Sequence, residues 1–561
     1  MSEAMREALR DVANDDKVTA GRTRRDFLAH GVLAACAVPV LGAVGPFVHV
    51  RGRQEHDLVV RGGTVYDGLG GAGRELDLAI RDGRVQVMGA RLATRGREEI
   101  DARGLVVAPG FVDIHSHGDG NLREDPRAES VIRQGITTMV VGADGSSRFS
   151  GAEGKSFGDW ERDLTAIEPA VNVASMIGLG SVRGAVVGEV DRKATADELT
   201  RMVAMVERAL REGACGTSTG LEYTPGAFAT PDELIVLCRP LSAWGLPYAT
   251  HMRNEDDRLL EAIDESIAVA RGAGCPLQVS HLKQQGTRNW PKLNASLSRL
   301  REARAAGVDA WFDVYPYEAY QTGLSNLFPV WARDGGDAAF LARLDEPATA
   351  ARIKREALAK VELIGGWDNV QIARVSNAAD RDAEGKRLGA WARARGNDPY
   401  DAAVGLLRRN QVDVGMLGFA MSEDNIDKLL AHEYGMVCSD GGGFAIDGPT
   451  RRGSPHPRGA GTMPRVLGRF VRERRALSLA DAIHKMTARP ADRVHLRDRG
   501  RLAVGMAGDV VVFDAATVAD RADFANPFQY PVGISAVIVN GAVAVRDGQH
   551  LANRGRVVRA G

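Results

Sequence analysis

"VVAPGFVDIHSHGDG", residues 106–120, decides how the rest of the chain is read. An apolar, strand-like run beginning at Val106 ends in two histidines one residue apart, His115 and His117, with Asp113 and Asp119 beside them. A strand that only fills a core has no reason to finish in imidazoles and carboxylates. Period-two alternation sends both histidines to one face, so both rings can reach a single ion.

Outward from this strand, residues 109–490 alternate between two textures. Apolar runs such as "TTMVV", "LPYATH", "PLQVSH", "VDAWFDVYPY" and "YGMVCSDG" are separated by helix-like segments. "TADELTRMVAMVERALREG" opens on a Thr N-cap, carries Leu199, Met202, Val203, Val206 and Leu210 at helical spacing, and closes at Gly213. Repeated strand–helix units point to an α/β fold of the (β/α)8 TIM barrel type, with a doubly wound sheet as the alternative. The alternating segment 109–490 lacks the GxGxxG and Walker patterns that would favour the alternative.

Active sites of such barrels gather at the C-terminal ends of the strands. The polar residues that end these runs are His115, His117, Asp144, His251, His281 and Asp440. Any one of them alone reads as a hydrogen-bonded core residue. Together they form a set of imidazole and carboxylate donors suited to Zn²⁺ or another divalent ion.

The flanks differ from the middle. From His56 to about Val107, and again in "GDVVVFD" and "SAVIVNGAVAVRDG", short alternating strands break at Gly-Gly, Asp-Gly and Asn-Gly turns. These predict a small β-sandwich domain assembled from both termini, 55–108 and 491–561. Residues 1–50 carry Arg24-Arg25 ahead of an apolar run from Phe27 to Val48. That pattern predicts a twin-arginine-type export signal and a periplasmic or extracellular protein. The run offers a small-x-small cleavage site at Ala35–Ala37 and a lipid-attachment box ending at Cys36. An uncleaved anchor is the third reading. The mature form is then expected to be free of the membrane unless Cys36 is lipidated or the signal is retained.

Composition narrows the function further. The 561 residues carry 72 basic and 73 acidic side chains, a formal net charge of −1, which argues against a nucleic-acid partner. The five cysteines are scattered, without CxxC spacing, and build neither a disulfide framework nor a thiolate zinc knot.

"APGFVDIHSHGDG", "GACGTSTGLEYTPG", "YATHMRNE", "QVSHLKQQG", "SDGGG" and "HPRGAGTMPRVLGRFVRE" resemble the N-acyl-D-amino-acid deacylases (D-aminoacylases) of the amidohydrolase superfamily, from about His56 to the C-terminus. The resemblance implies a (β/α)8 barrel, the small β domain, and an insertion late in the barrel at about 328–402. It implies hydrolysis of N-acyl-D-amino acids to a carboxylate and a free D-amino acid, with one or two Zn²⁺ ions. His115, His117 and Asp440 would form one metal half-site, and His251 with His281 the other. Asp144 stands where the family has a cysteine in "GNCG", so this carboxylate could bridge two ions, bind one, or release one site. Lys155 and Lys193, the lysines between His117 and His251, lie in polar loop-like surroundings, which argues against a carbamylated bridging lysine. A carboxylate that reaches both water and leaving nitrogen suits the acid/base role, which falls to Asp440. For the substrate's free carboxylate the resemblance offers Lys283, Tyr315 and Arg458, and Arg253 lies two residues beyond His251 on the same strand face. "EAYQTG" after "DVYPY" departs from the family pattern, and Arg451 and Arg452 could meet an acidic substrate or be solvated, the second being the safer reading. A D-residue dipeptidase, a cyclic amidase or lactonase, and a non-catalytic exported binding protein are the rival readings.

Overall fold

The computed structural model describes residues 55–150 and 154–561; the export signal expected over residues 1–50, with Arg24, Arg25 and Cys36, lies outside them. Among the described residues no helix is long and apolar enough to cross a membrane.

Strands from both ends of the chain share one nine-stranded sheet. Its order runs from Gln549–His550 through Ala542–Arg546, Ile534–Val539, Val510–Phe513, Val106–Pro109 and Glu55–Val65 to Arg74–Arg81 and Arg84–Gly89, with Arg95–Asp101 pairing beside Glu55–Val65. The hairpin turns are made where the sequence allows left-handed backbone: Asp82-Gly83 at φ 52° and 72°, and Asn540-Gly541 at φ 49° and 83°. The sheet closes on a core that includes Leu58, Val60, Ile80, Val85, Val510, Val512 and Ile538. The two termini thus form the β-sandwich.

Eight parallel strands make the barrel: β1 (Phe111–Asp113), β2 (Ile136–Val141), β3 (Asn172–Ser175, continued by Ile177–Gly178), β4 (Thr217–Gly220), β5 (Tyr248–His251), β6 (Leu277–Val279), β7 (Ala310–Val314) and β8 (Gly435–Val437). All eight are buried nearly throughout, as strands covered on both faces must be. The ring closes beyond the ends of β8 and β1, where the Asp440 N–H donates to the His115 carbonyl and the His117 N–H to that of Gly441, both at 2.9 Å. β4 is built of hydroxyl residues. Thr219 Oγ1 donates to Thr250 Oγ1 at 2.8 Å, so buried polarity is satisfied across the barrel interior.

The helices follow from local signals. Helix α1 (Ala196–Glu212) starts at Thr195, whose hydroxyl accepts from the Glu198 N–H while Glu198 accepts from the Thr195 N–H, and stops at Gly213 with φ 120°. Met202, Val206 and Leu210 face the core; Leu199 and Val203 are only partly covered. Between β7 and β8 the chain makes an excursion built on a three-stranded antiparallel sheet, with Val414–Phe419 between Ala319–Gly323 and Val370–Val375. Helix α2 (Pro347–Leu363) belongs to it. The segment 328–402 holds most of the helices of this excursion, but Pro399–Arg409 runs past its end and two of the three strands lie outside those bounds.

Candidate metal centre and active site

Seven of the eight barrel strands deliver a polar residue at or just past their C-terminal ends. His115 and His117 follow β1, Asp144 follows β2, Glu222 follows β4, His251 ends β5, His281 follows β6, Tyr315 follows β7 and Asp440 follows β8. Asp144, His281 and Asp440 sit in left-handed backbone at φ 51°, 35° and 48°. Non-glycine residues adopt that region at a cost, and do so where surrounding contacts fix them.

The six expected ligands converge. His115 Nε2 lies 3.4 Å from Asp144 Oδ1 and 3.4 Å from Asp440 Oδ1. His117 Nε2 lies 3.4 Å from Asp144 Oδ2 and 3.2 Å from Asp440 Oδ1. On the other side, His251 Nδ1 and His281 Nε2 are 3.1 Å apart, and Asp144 reaches them at 3.8 and 3.4 Å. The donors fall into two groups, His115–His117–Asp144–Asp440 and Asp144–His251–His281, each with its atoms within 4.8 Å of one another. Asp144 belongs to both.

Electrostatics show what this cluster is built to hold. Burial opposes charge on Asp144 and Asp440, yet the imidazoles, and for Asp440 above all Arg458, hold both carboxyls well below their ordinary range. Burial likewise opposes charge on His117 and His281, but the same carboxylates outweigh it and raise both to about 10. His115 Nε2, Asp144 Oδ1 and His251 Nε2 are buried without a hydrogen-bond partner. Converging ionised carboxylates and imidazoles, with orphaned atoms among them, fit a divalent cation.

A second ring of groups orients the first. The Asp313 carboxylate accepts from the His281 N–H at 2.7 Å and lies 3.7 Å from His115 Nδ1. Glu255, 1 % exposed, lies 3.1 Å from His281 Nδ1 and accepts from Lys283 Nζ at 2.6 Å and from Gln285 Nε2 at 2.7 Å. His281 Nδ1 lies between Lys283 Nζ at 2.6 Å and Glu255 Oε1 at 3.1 Å; for Nε2 to present a lone pair Nδ1 must carry the ring hydrogen, and of these two groups only Glu255 can accept it. Glu222 Oε2 stands 3.5 Å from His251 Nε2. Sequence reasoning missed Glu222 and Glu255, although both lie in the quoted motifs "GLEYTPG" and "HMRNE". It also missed Lys360, which reaches from α2 to pair with Asp256.

The substrate-binding candidates divide. Arg458 Nη1 lies 2.7 Å from Asp440 Oδ2, and its guanidinium stacks 4.6 Å from the centre of the Tyr315 ring. The Tyr315 hydroxyl is buried and unpartnered. Lys283 is held by Glu255 and lies 5.7 Å from the same ring. These three adjoin the cluster. Arg253 does not: it turns outward to Glu265 and the carbonyls of Ala227 and Ala229. Lys155 lies 3.4 Å from Asp163, and Lys193 is exposed, so neither joins the cluster. A cavity of about 650 Å³, lined by His117, Asp144, Tyr223, Asp440 and Arg458 among others, opens onto it.

A closed (β/α)8 barrel carrying histidines and aspartates at its strand ends, beside a β-sandwich made from both termini, defines an amidohydrolase. The Amidohydro_3 model, described as amidohydrolase family, matches residues 98–417 and 444–545. N-acyl-D-glutamate deacylase from Alcaligenes xylosoxydans xylosoxydans is 36% identical over 526 residues, 90% of this chain and 97% of that protein. D-aminoacylase from the same organism is 35% identical, over 89% and 97%. The crystal structure of N-acyl-D-glutamate deacylase from Bordetella bronchiseptica, complexed with zinc and a phosphonate inhibitor that mimics the tetrahedral intermediate, superposes with a TM-score of 0.77. It is 34% identical, over 90% of this chain and all of that one. The chain belongs to the D-aminoacylase (N-acyl-D-amino-acid deacylase) family of the amidohydrolase superfamily, and is a hydrolase acting on amide bonds.

Proposed function

We propose that this protein is a zinc-dependent deacylase that cleaves N-acyl-D-amino acids to a carboxylate and a free D-amino acid. The observation that carries the reading is the convergence of His115, His117, Asp144, His251, His281 and Asp440 at the mouth of a cavity, with the Arg458–Tyr315 stack beside them. The N-acyl-D-glutamate deacylase crystallised with zinc supports the choice of metal. His115, His117 and Asp440 hold one ion and His251 with His281 a second, Asp144 being common to both groups. A divalent ion in such a site lowers the pKa of bound water and polarises a carbonyl.

The chain's own residues do the rest. Asp440 stands between the imidazoles of β1 and Arg458, where its carboxylate takes the proton of the attacking water and returns it to the leaving nitrogen. Arg458 and the Tyr315 hydroxyl receive the substrate's α-carboxylate, and Lys283 adds positive charge behind them. Residues 1–50, with the twin arginine, direct export, so the reaction takes place outside the cytoplasm.

The test is a panel of N-acetyl-D- and N-acetyl-L-amino acids, dipeptides and hydantoins on protein of measured zinc content, with Asp440→Asn alongside. Turnover of N-acetyl-D-amino acids is expected, and Asp440→Asn should retain zinc while losing about 10²–10⁴-fold in kcat. Turnover confined to ring amides or lactones would refute the deacylase reading, and near-parental rates in Asp440→Asn would refute the acid/base role.

A further inference from the structure

The cavity above the metal cluster has walls of unlike character. Where it leaves the cluster, Gly145, Gly180, Gly184, Ala185 and Gly226 keep it wide, at about 650 Å³ in all. Small residues of this kind admit a large substituent and reject none by size. Selection must therefore come from charge and polarity.

The charged groups of the cavity are few. Arg458 is the cation on its lining, and it is engaged by Asp440 and, on the reading above, by the substrate's α-carboxylate. Lys283 and Lys360 line a narrow recess that adjoins the cavity at Asp144, Tyr223, Gln321, Thr322 and Asp440, and each is held by a carboxylate, Glu255 and Asp256. Arg333 is buried away from the lining, donating to Asn326 Oδ1 and the Glu222 carbonyl. The hollow that shares Gln321, Thr322 and Gly442 with this cavity carries Arg148, Arg374 and Arg452, and these too are paired, with Asp119, Asp413 and Glu124.

One carboxylate does face the cavity away from the cluster. Glu189 follows the helix Leu179–Val186 and is exposed. Its backbone is pinned to the excursion, because the Gly335 N–H donates to the Glu189 carbonyl at 2.8 Å. Its side chain has no ion-pair or hydrogen-bond partner among the described residues, although one carboxylate oxygen lies close to Gly336 at the start of the helix Gly336–Arg343, and its charge is not neutralised by a side chain.

We propose that Glu189 is a specificity-determining residue, and that the cavity takes a neutral or cationic D-side chain and turns acidic ones away. The inference rests on the deacylase reading and extends it to a substrate class. An acidic D-residue would bring a second carboxylate to a cavity whose nearby cations are each already paired with a carboxylate and whose unpaired charge is Glu189, whereas a guanidinium would meet Glu189.

The experiment compares kcat/KM for N-acetyl-D-Leu, N-acetyl-D-Arg and N-acetyl-D-Glu on the zinc-loaded full chain, with Glu189→Gln and Glu189→Lys. The wild-type protein is expected to favour D-Leu and D-Arg over D-Glu by about tenfold or more. Glu189→Gln should lower the D-Arg to D-Leu ratio by about three- to fivefold, the size expected of one exposed charge pair. Glu189→Lys should raise the D-Glu to D-Leu ratio by a similar factor. A preference for N-acetyl-D-Glu, or ratios unmoved by both substitutions, would overturn the inference and leave the deacylase reading standing. Failure to turn over any of the three would overturn both.

Discussion

Replacing Glu255 by Gln removes a negative charge on which two cationic partners depend. The carboxylate is 1 % exposed and Lys283 6 % exposed, so neither is dissolved by water. Lys283 Nζ lies 2.6 Å from Glu255 Oε1, and His281 Nδ1 lies 3.1 Å from the same oxygen. Burial alone would raise the Glu255 carboxyl, but Lys283 and the imidazoles of His251 and His281 outweigh it and hold it well below its ordinary value. Gln preserves the shape and one acceptor oxygen while deleting the charge. The cost is that of a buried cation left without its counter-ion, about 3–5 kcal/mol. Urea unfolding of chelator-treated protein measures it without contribution from bound metal, provided the slope of the transition is unchanged. The double variant Glu255→Gln/Lys283→Met should be more stable than Glu255→Gln alone, because it removes the stranded cation. Zinc affinity should fall about 10–100-fold in Glu255→Gln, since His281 loses the charged acceptor that fixes its tautomer. A loss below about 1 kcal/mol, or a double variant no more stable than the single one, would show that Lys283 does not depend on Glu255.

Arg253→Ala should lower the melting temperature while leaving KM for the best substrate within about twofold, because Arg253 braces Glu265 and two carbonyls outside the cavity. Steady-state kinetics beside thermal melts check this. Glu198 is held at about 2 by hydrogen bonds from Arg192 and from the Thr195 N–H. A folded value below the ordinary 4.5 gives stabilisation that is complete above that pH and is lost as pH falls toward 2. The stabilities of wild type and Glu198→Gln should therefore differ near pH 6 and converge through that window, as read from urea midpoints at stepped pH.

Most of the metal cluster was legible in the sequence because strand ends announce themselves. Apolar runs that stop at His115, Asp144, His251, His281 or Asp440 carry the barrel's geometry in their order. The same rule misplaced Arg253. Period-two alternation puts it on the face of His251 only while the strand continues, and β5 ends at His251, so the backbone turns and the guanidinium leaves the site. β4 gave no apolar run to notice, because Thr217, Ser218 and Thr219 satisfy their hydroxyls within the barrel. Lys360 had no signal at all. It lies on an amphipathic helix of the excursion, where a lysine normally marks a solvated face, and only the folded chain brings it against Asp256.

The backbone at the cluster argues that the chain sacrifices local comfort to place its donors. Left-handed φ at Asp144, His281 and Asp440 costs on the order of 1–2 kcal/mol at each residue. The hairpins at Asp82, Asn540 and Asp547 use the same region with a left-handed glycine following, as Gly145 at φ 76° follows Asp144, whereas no left-handed glycine follows His281 or Asp440. At the cluster the conformation is also held from outside. The His281 N–H is taken by Asp313, the Asp440 N–H by the His115 carbonyl, and the Gly145 N–H, just after Asp144, by Ser218 Oγ at 3.0 Å. Each clamp comes from another strand of the barrel or the segment that follows it, so the strain is sustained by barrel closure rather than by the loop that bears it. Loosening one clamp should therefore release a donor before it unfolds a strand. That ordering of events is what separates a site held by its scaffold from residues that merely happen to line a core.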